Sequence, residues 1–322
     1  MPACERSCKR SDKTFAQRAH KAKNSEIREE CVDQNVIDLY DRFTHGGMSR
    51  REFLDRLYEL AGSAAAGAAL LPLLQCNYAN AATVAVNDPR LASDRVSYDS
   101  AKGKISGYLV RPKDKVKRPA VIVIHQNRGL NPHIEDVARR KALEGFLTLA
   151  PDLLSVNGGT PSSEDGARDL HQKTPREDMI AAAIAAVPFM LHHPDSTGKV
   201  GAIGFCFGGG VVNRMAAGSA DLAAAVPFYG SQVPAQMVSS IKAPLLLHYA
   251  EHDNNINAGI AAYEAALKSN GKQYAIYTYP GTQHAFTDDT AGVRYNKAAA
   301  ELAWTRTIAF LKENLGAPPK AS

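Results

Sequence analysis

Two hydrophobic rhythms alternate along most of this chain. Short runs of Val, Ile, Leu and Ala at 120–124, 200–203, 223–229 and 245–249 are apolar at nearly every position. A strand covered on both faces shows that pattern. Between such runs, apolar residues recur at helical spacing, as with Met179, Ile180, Ile184, Val187 and Leu191. Further strands are expected at 146–150 and 274–279, and a leading hairpin at 96–98 and 105–110 around Lys102-Gly103. Helices are expected at 134–144, directly after Cys206, at 256–270 and at 293–314, with a loop rich in Gly, Ser and Pro at 155–166. Strands alternating with helices predict the α/β class, a mostly parallel central sheet with helices on both faces. No repeat or internal linker interrupts the pattern, so residues 83–322 are read as one domain.

The reactive residue types collect just beyond strand ends. Gly204-Phe205-Cys206-Phe207-Gly208-Gly209 follows the run at 200–203 and opens a small-residue stretch that reads as helix. That is the strand–turn–helix setting of a nucleophile elbow, here with a thiol. The flanking glycines let the backbone turn sharply enough to push Sγ out of the strand end, and the Phe207 N–H can face a developing oxyanion. Cysteine is also among the most buried residue types, so the string alone is equally compatible with a packed strand end. Two further residues complete a triad in the chain order nucleophile, acid, base. Asp253 follows the run at 245–249, and His284 follows the strand at 274–279 and the turn Pro280-Gly281. Glu251 is the rival acid, and Asp253 is preferred because it sits further into the loop. The set predicts acyl transfer from an ester or lactone.

With these residues in place, the stretch from about 97 to 315 resembles the dienelactone hydrolase family of α/β-hydrolases. The elbow carries the resemblance, as do the spacing of Cys206, Asp253 and His284, the loop Gln283-His284-Ala285-Phe286, and the strings Gly129-Leu130-Asn131-Pro132-His133 and Leu149-Ala150-Pro151-Asp152-Leu153-Leu154. It implies an α/β-hydrolase fold, a Cys-His-Asp triad and a thioester acyl-enzyme. It also implies an oxyanion hole from the amides of Phe207 and Asn127, and no metal or organic cofactor. His125, Arg128, Tyr229 and Phe286 are expected near the pocket, with packing as the competing explanation. Arg128 and Arg168 are candidate anchors for an anionic group.

Two departures from the family pattern stand out. Where the family carries a glutamate that contacts the thiol and helps deprotonate it, this chain has Gln126, which can hydrogen-bond but cannot take a proton near neutral pH. A glutamate restored there is expected to speed acylation. Four residues after His284, where well-known members place an arginine for the substrate carboxylate, stands Asp288, which argues against the same small dienelactone. The alternatives are a broad carboxylesterase or thioesterase, and a weakly active or non-catalytic binding protein.

The first eighty residues follow a different pattern. Lys9, Arg10, Lys13, Arg18, Lys21 and Lys23 sit among few apolar positions, so residues 1–48 are expected to be a basic, flexible extension that holds much of the net charge of +5. Without a helix-turn-helix or zinc-finger pattern beside it, that charge does not point to nucleic acid. Ser49-Arg50-Arg51-Glu52-Phe53-Leu54, the apolar run at 61–74 and Ala79-Asn80-Ala81 resemble a twin-arginine export signal over 49–82, with cleavage before Ala82. Periplasmic location is the resulting expectation, and a cytoplasmic protein with an N-terminal helix is the alternative. The run is too short and too rich in Ala and Gly for a stable membrane span. Cys4, Cys8, Cys31 and Cys76 precede the proposed cleavage point, which leaves Cys206 as the thiol of the body and no framework for disulfides. The expected partner is a small ester or lactone, and no oligomeric state is implied.

Overall fold

The computed structural model describes residues 32–76, 83–114 and 116–319. They fall into two compact units, one ending at Gln75 and the other beginning at Cys76. The first contains α1 (Gln34–Thr44), α2 (Arg50–Leu60) and α3 (Ala64–Leu74). Side chains of Asp33, Ser49 and Ser63 accept backbone N–H groups at the three helix starts. Val36, Ile37, Tyr40 and Phe43 form one apolar face of α1, and Phe43 stacks on Phe53 of α2 with ring centroids 4.5 Å apart.

The expectation of a flexible extension over 1–48 therefore fails for residues 34–44. The lysines and arginines ahead of residue 24 dominate the composition and mask a capped amphipathic helix behind them. Residues 1–31 and the proposed cleavage site at 79–81 lie outside the described residues. Arg50 and Arg51 occupy the first turn of α2. Among the described residues no single helix is long and apolar enough to cross a membrane, and α2 and α3 meet that test only as a pair bent by 114°.

The second unit is built on one sheet of eight strands: β1 (Leu91–Ser100), β2 (Gly103–Pro112), β3 (Arg118–Ile124), β4 (Leu147–Pro151), β5 (Ser196–Phe205), β6 (Leu222–Phe228), β7 (Leu245–His252) and β8 (Tyr274–Gln283). Their order is β1-β2-β4-β3-β5-β6-β7-β8. The β1–β2 hairpin joins β4 antiparallel, and every other neighbouring pair is parallel. The helices of this unit are α4 (Pro132–Leu143), α5 (Glu164–Lys173), α6 (Arg176–Leu191), α7 (Phe207–Gly218), α8 (Ala235–Val238), α9 (Asn254–Asn257), α10 (Ile260–Ser269) and α11 (Lys297–Leu315).

Strand alternation divides the core into two layers. Ala120, Ile122 and Ile124 of β3 pack with Met179 and Val187 of α6 and with Val211 and Val212 of α7. Val121 and Val123 point the other way, toward Val137 and Ala138 of α4 and Ala303 and Leu311 of α11. The all-apolar run in the sequence is thus the mark of a strand with a helix layer on each side.

Local differences from the sequence expectation have local causes. The loop expected at 155–166 holds over 158–163, but a 3-10 turn at Leu153–Asn157 overlaps its start and α5 takes its last three residues, opened by Ser163, which accepts the Gly166 amide at 3.2 Å. The ten residues of α5 are mostly polar, so few apolar positions mark it. The helix expected at 256–270 is divided between α9 and α10, and α11 begins only behind the Asn296 cap.

The topology also locates the site. From β3 the chain passes to β4 on one side and returns to β5 on the other, so the loops after β3 and β5 open side by side at the C-terminal ends of parallel strands. Such a reversal of strand order leaves a crevice where ligands bind in open α/β sheets.

Candidate active site

Cys206 stands between β5 and α7 with φ 56 and ψ −117, a conformation that L-residues avoid. Two backbone bonds hold it: its own N–H donates to Phe228 O at 3.0 Å, and the Gly210 N–H donates to Cys206 O at 3.2 Å. The flanking glycines are required by close backbone approach. A Cβ on Gly204 would lie 2.1 Å from the Gly208 carbonyl oxygen, and one on Gly208 would lie 2.5 Å from the carbonyl oxygens of Ile124 and His125. The other described non-glycine residues with positive φ are Tyr229 and Ala285, at 37° and 69°, and both border the same crevice. Strain of this kind, gathered at strand ends, is characteristic of functional sites.

Asp253 follows β7 and caps α9, and its Oδ2 lies 2.6 Å from His284 Nδ1. A carboxylate only accepts, so Nδ1 carries the proton. The Cys206 Sγ and a His284 ring nitrogen lie within 4.8 Å of each other. Burial opposes a charge on this imidazole, but Asp253 and Cys206 outweigh it and hold the His284 pKa well above its ordinary value. Glu251, the rival acid, accepts the Gly281 N–H at 2.7 Å and pairs with His252, which commits it to the turn in β8.

The remaining candidates divide into rim, wall and scaffold. Phe207 is half-buried at the rim, where the His171 ring meets it edge-on at 4.4 Å and the Arg176 guanidinium lies 5.5 Å from its centroid. Neither His171 nor Arg176 is marked by sequence motif, because α5, which carries His171, has few apolar positions. Asn127 is half-buried and accepts from Arg128 Nη1 at 3.1 Å. Tyr229 presents its ring 4.9 Å from that of His284, and its hydroxyl bonds Thr287 Oγ1 at 2.8 Å. Phe286 is fully buried between Tyr229 and Tyr279, so it supports the wall from behind.

His125 belongs to the scaffold and does not line the pocket. Its Nδ1 lies 2.6 Å from Gln126 O, its Nε2 accepts the Leu153 N–H at 3.2 Å, and the ring is wholly enclosed. Burial lowers its pKa despite Asp152 nearby, so a neutral imidazole ties the loop after β3 to the one after β4. Arg168 pairs with Asp169 and Asp165, its neighbours on α5.

The two departures from the family pattern meet in space. Gln126 Nε2 donates to Asp288 Oδ2 at 2.9 Å. Asp288 in turn borders a buried cluster in which His133 Nε2 lies 3.5 Å from Asp288 Oδ1 and His133 Nδ1 lies 3.3 Å from Asp289 Oδ1. Arg140 bridges Asp289 and Asp136 from α4, and Asp136 also accepts the Val84 N–H at 2.8 Å. His133, Asp288 and Asp289 bring ligating atoms within 4.8 Å of one another, the donor set of a cation site. Arg140 on Asp289 already compensates that charge, so a cation would bind against a fixed guanidinium.

The dienelactone hydrolase family model matches residues 105–315, which contain Cys206, Asp253 and His284. The chain belongs to the dienelactone hydrolase family. A second model, described as YqhI-like, matches residues 27–62. A relative from Saccharolobus solfataricus, named "Putative carboxymethylenebutenolidase", is 33% identical over 255 residues, covering 67% of this chain and 97% of its own. Among solved structures, a Klebsiella pneumoniae protein titled "Putative Dienelactone Hydrolase" has a TM-score of 0.63 at 26% identity, over 69% of this chain and 99% of its own. A dienelactone hydrolase-like promiscuous phosphotriesterase from metagenomic libraries has a TM-score of 0.61 at 25% identity, over 70% of this chain and 100% of its own. Family membership makes the chain an α/β-hydrolase by fold and a hydrolase of the carboxylic-ester class.

Proposed function

We propose that this dienelactone hydrolase relative cleaves an ester or lactone through a Cys206 thiolate and a thioester acyl-enzyme. The observation that carries the reading is the line from Asp253 to His284 to Cys206, with His284 Nδ1 2.6 Å from a carboxylate oxygen and a His284 ring nitrogen within 4.8 Å of the thiol sulfur. His284 takes the thiol proton, and its raised pKa favours the imidazolium–thiolate pair. The thiolate attacks the carbonyl carbon, and the N–H groups of Phe207 and Asn127 receive the developing oxyanion, Phe207 at the first turn of α7 where amides lack intrahelical acceptors. Collapse forms the thioester while the imidazolium protonates the departing alkoxide. His284 then takes a proton from water, whose oxygen attacks the thioester, and the carboxylic acid leaves as Cys206 is restored. Gln126 supplies no proton acceptor, so His284 is the base of both steps.

Intact-protein mass spectrometry after mixing with a panel of chromogenic esters and lactones tests this. A mass increase equal to the acyl group, mapped to Cys206 and absent in Cys206→Ala, is the expected result. Sustained turnover by folded Cys206→Ala would overturn it. The panel also separates a strict lactonase from a broad carboxylesterase or thioesterase.

Twin-arginine export is part of the same proposal and rests on Arg50-Arg51 with the apolar run behind them. Arg50→Lys with Arg51→Lys should hold the precursor in the cytoplasm, and exported protein should begin near Ala82. An intact N-terminus in the cytoplasmic fraction of the native host would refute it.

A further inference from the structure

Gln126 and Asp288 are separated by 162 positions and form one hydrogen bond. The bond has a direction. A carboxylate cannot donate, so Asp288 fixes the nitrogen end of the Gln126 amide and leaves its carbonyl end as the one able to accept from a thiol. Asp288 is itself held. Its Oδ1 accepts the Thr290 N–H at 2.9 Å and the Thr290 hydroxyl at 2.5 Å, and its side chain is fully buried beside His133. Burial disfavours a charge on His133, yet Asp288 and Asp289 outweigh burial and raise its pKa, which balances the carboxylates. Asp288 also reaches the reacting groups through its neighbour: Thr287 bonds the Tyr229 hydroxyl, and the Tyr229 ring lies against His284.

We infer that Asp288 is a positioning residue of the Cys206 centre, whose buried carboxylate orients the Gln126 amide and makes a carboxylate at position 126 incompatible with the site. The inference rests on the proposed role of Cys206. It reverses the expectation drawn from sequence alone, that Gln126→Glu would speed acylation. A glutamate there would place two carboxylates at hydrogen-bond distance in a buried setting, where one must take up a proton or turn away.

The test is a pair exchange, read as the pre-steady-state burst of acyl-enzyme with an activated ester. Rates are normalised to the fraction of folded protein measured by circular dichroism, so that losses through misfolding do not count. Gln126→Glu and Asp288→Asn should each slow the burst by about 10–100-fold, with the loss in the acylation rate rather than in KM. The double variant Gln126→Glu/Asp288→Asn restores a donor–acceptor pair with its polarity reversed, and should recover most of the rate lost by Gln126→Glu. If Gln126→Glu acylates as fast as the parent or faster, or if the double variant is as slow as the worse single one, Asp288 does not position Gln126. If the parent itself forms no acyl adduct, the Cys206 reading fails first, and thiol alkylation rates across the same variants still show whether the pair acts on Cys206. Equal alkylation rates in all of them would overturn the inference as well.

Discussion

Two buried histidines in this protein keep the same company and have different surroundings on the far side of the ring. His284 lies against Asp253, and His133 lies between Asp288 and Asp289. In both, carboxylates overcome burial and raise the imidazole pKa. The difference is what lies on the far side of the ring. His284 faces a thiol that a strained backbone has pushed out of the sheet, whereas His133 is enclosed by two carboxylates that Arg140, Thr290 and Gln126 also engage. A raised pKa beside an acid therefore does not define a catalytic base. A reactive group within reach does.

The largest expected effect removes one side of that comparison. His284→Ala and Cys206→Ala should each lower ester turnover by about 10³-fold or more, and the double variant should be little worse, because triad members act as a unit. Steady-state rates on protein shown to be folded by circular dichroism decide it, and losses that multiply in the double variant would break the triad.

Next comes the other side. His133→Ala removes the cation beside the buried Asp288, while Asp289 keeps Arg140, and should cost about 3–5 kcal/mol of stability. Activity per folded molecule should fall far less than in His284→Ala. Denaturant melts alongside rates normalised to folded protein test this, and an intact melt with activity lost would make His133 the catalytic partner.

The elbow itself can be stressed without touching a polar group. Gly204→Ala puts a methyl 2.1 Å from a backbone oxygen of the turn, so either the turn opens or the protein unfolds. Thermal melting and Cys206 alkylation should both change, and a parent-like protein would mean that the close approach is not needed.

The smallest effects are read from pH. Because the folded pKa values of His284 and His133 are raised, their stabilisation is complete below the ordinary imidazole value of 6.5 and is lost as pH rises through the folded values. His248 has the opposite sign. Burial between Tyr279 and Thr307 pushes it down to about 3, so stability present above 6.5 is lost as pH falls toward 3, by up to about 1.4 kcal/mol per pH unit. His248→Asn should flatten the acid limb of a stability–pH curve, and His133→Ala the alkaline limb. An unchanged slope in either variant would remove that histidine from the account.

Much of this was legible along the chain. The parallel strands announced themselves because a strand covered on both faces must be apolar throughout, and the elbow because two close backbone approaches exclude any side chain at Gly204 and Gly208. What escaped detection had few apolar positions, stood behind a stretch of different composition, or had no local partner. Helix α5 is mostly polar, α1 lies behind a basic stretch, and the enclosure of His125 depends on a Leu153 amide 28 residues away.

The sequence by itself determined the α/β alternation, the order of the proposed nucleophile, acid and base, and the two unusual residues Gln126 and Asp288, since each of these is a matter of residue type and short-range spacing. Only the tertiary structure decided that His125 is enclosed in the scaffold, and that the two unusual residues are one contact. The physical reason is the reversal of strand order at β3, which brings the loop after β3 beside the one after β5 and leaves distant side chains to settle each other's charge and orientation.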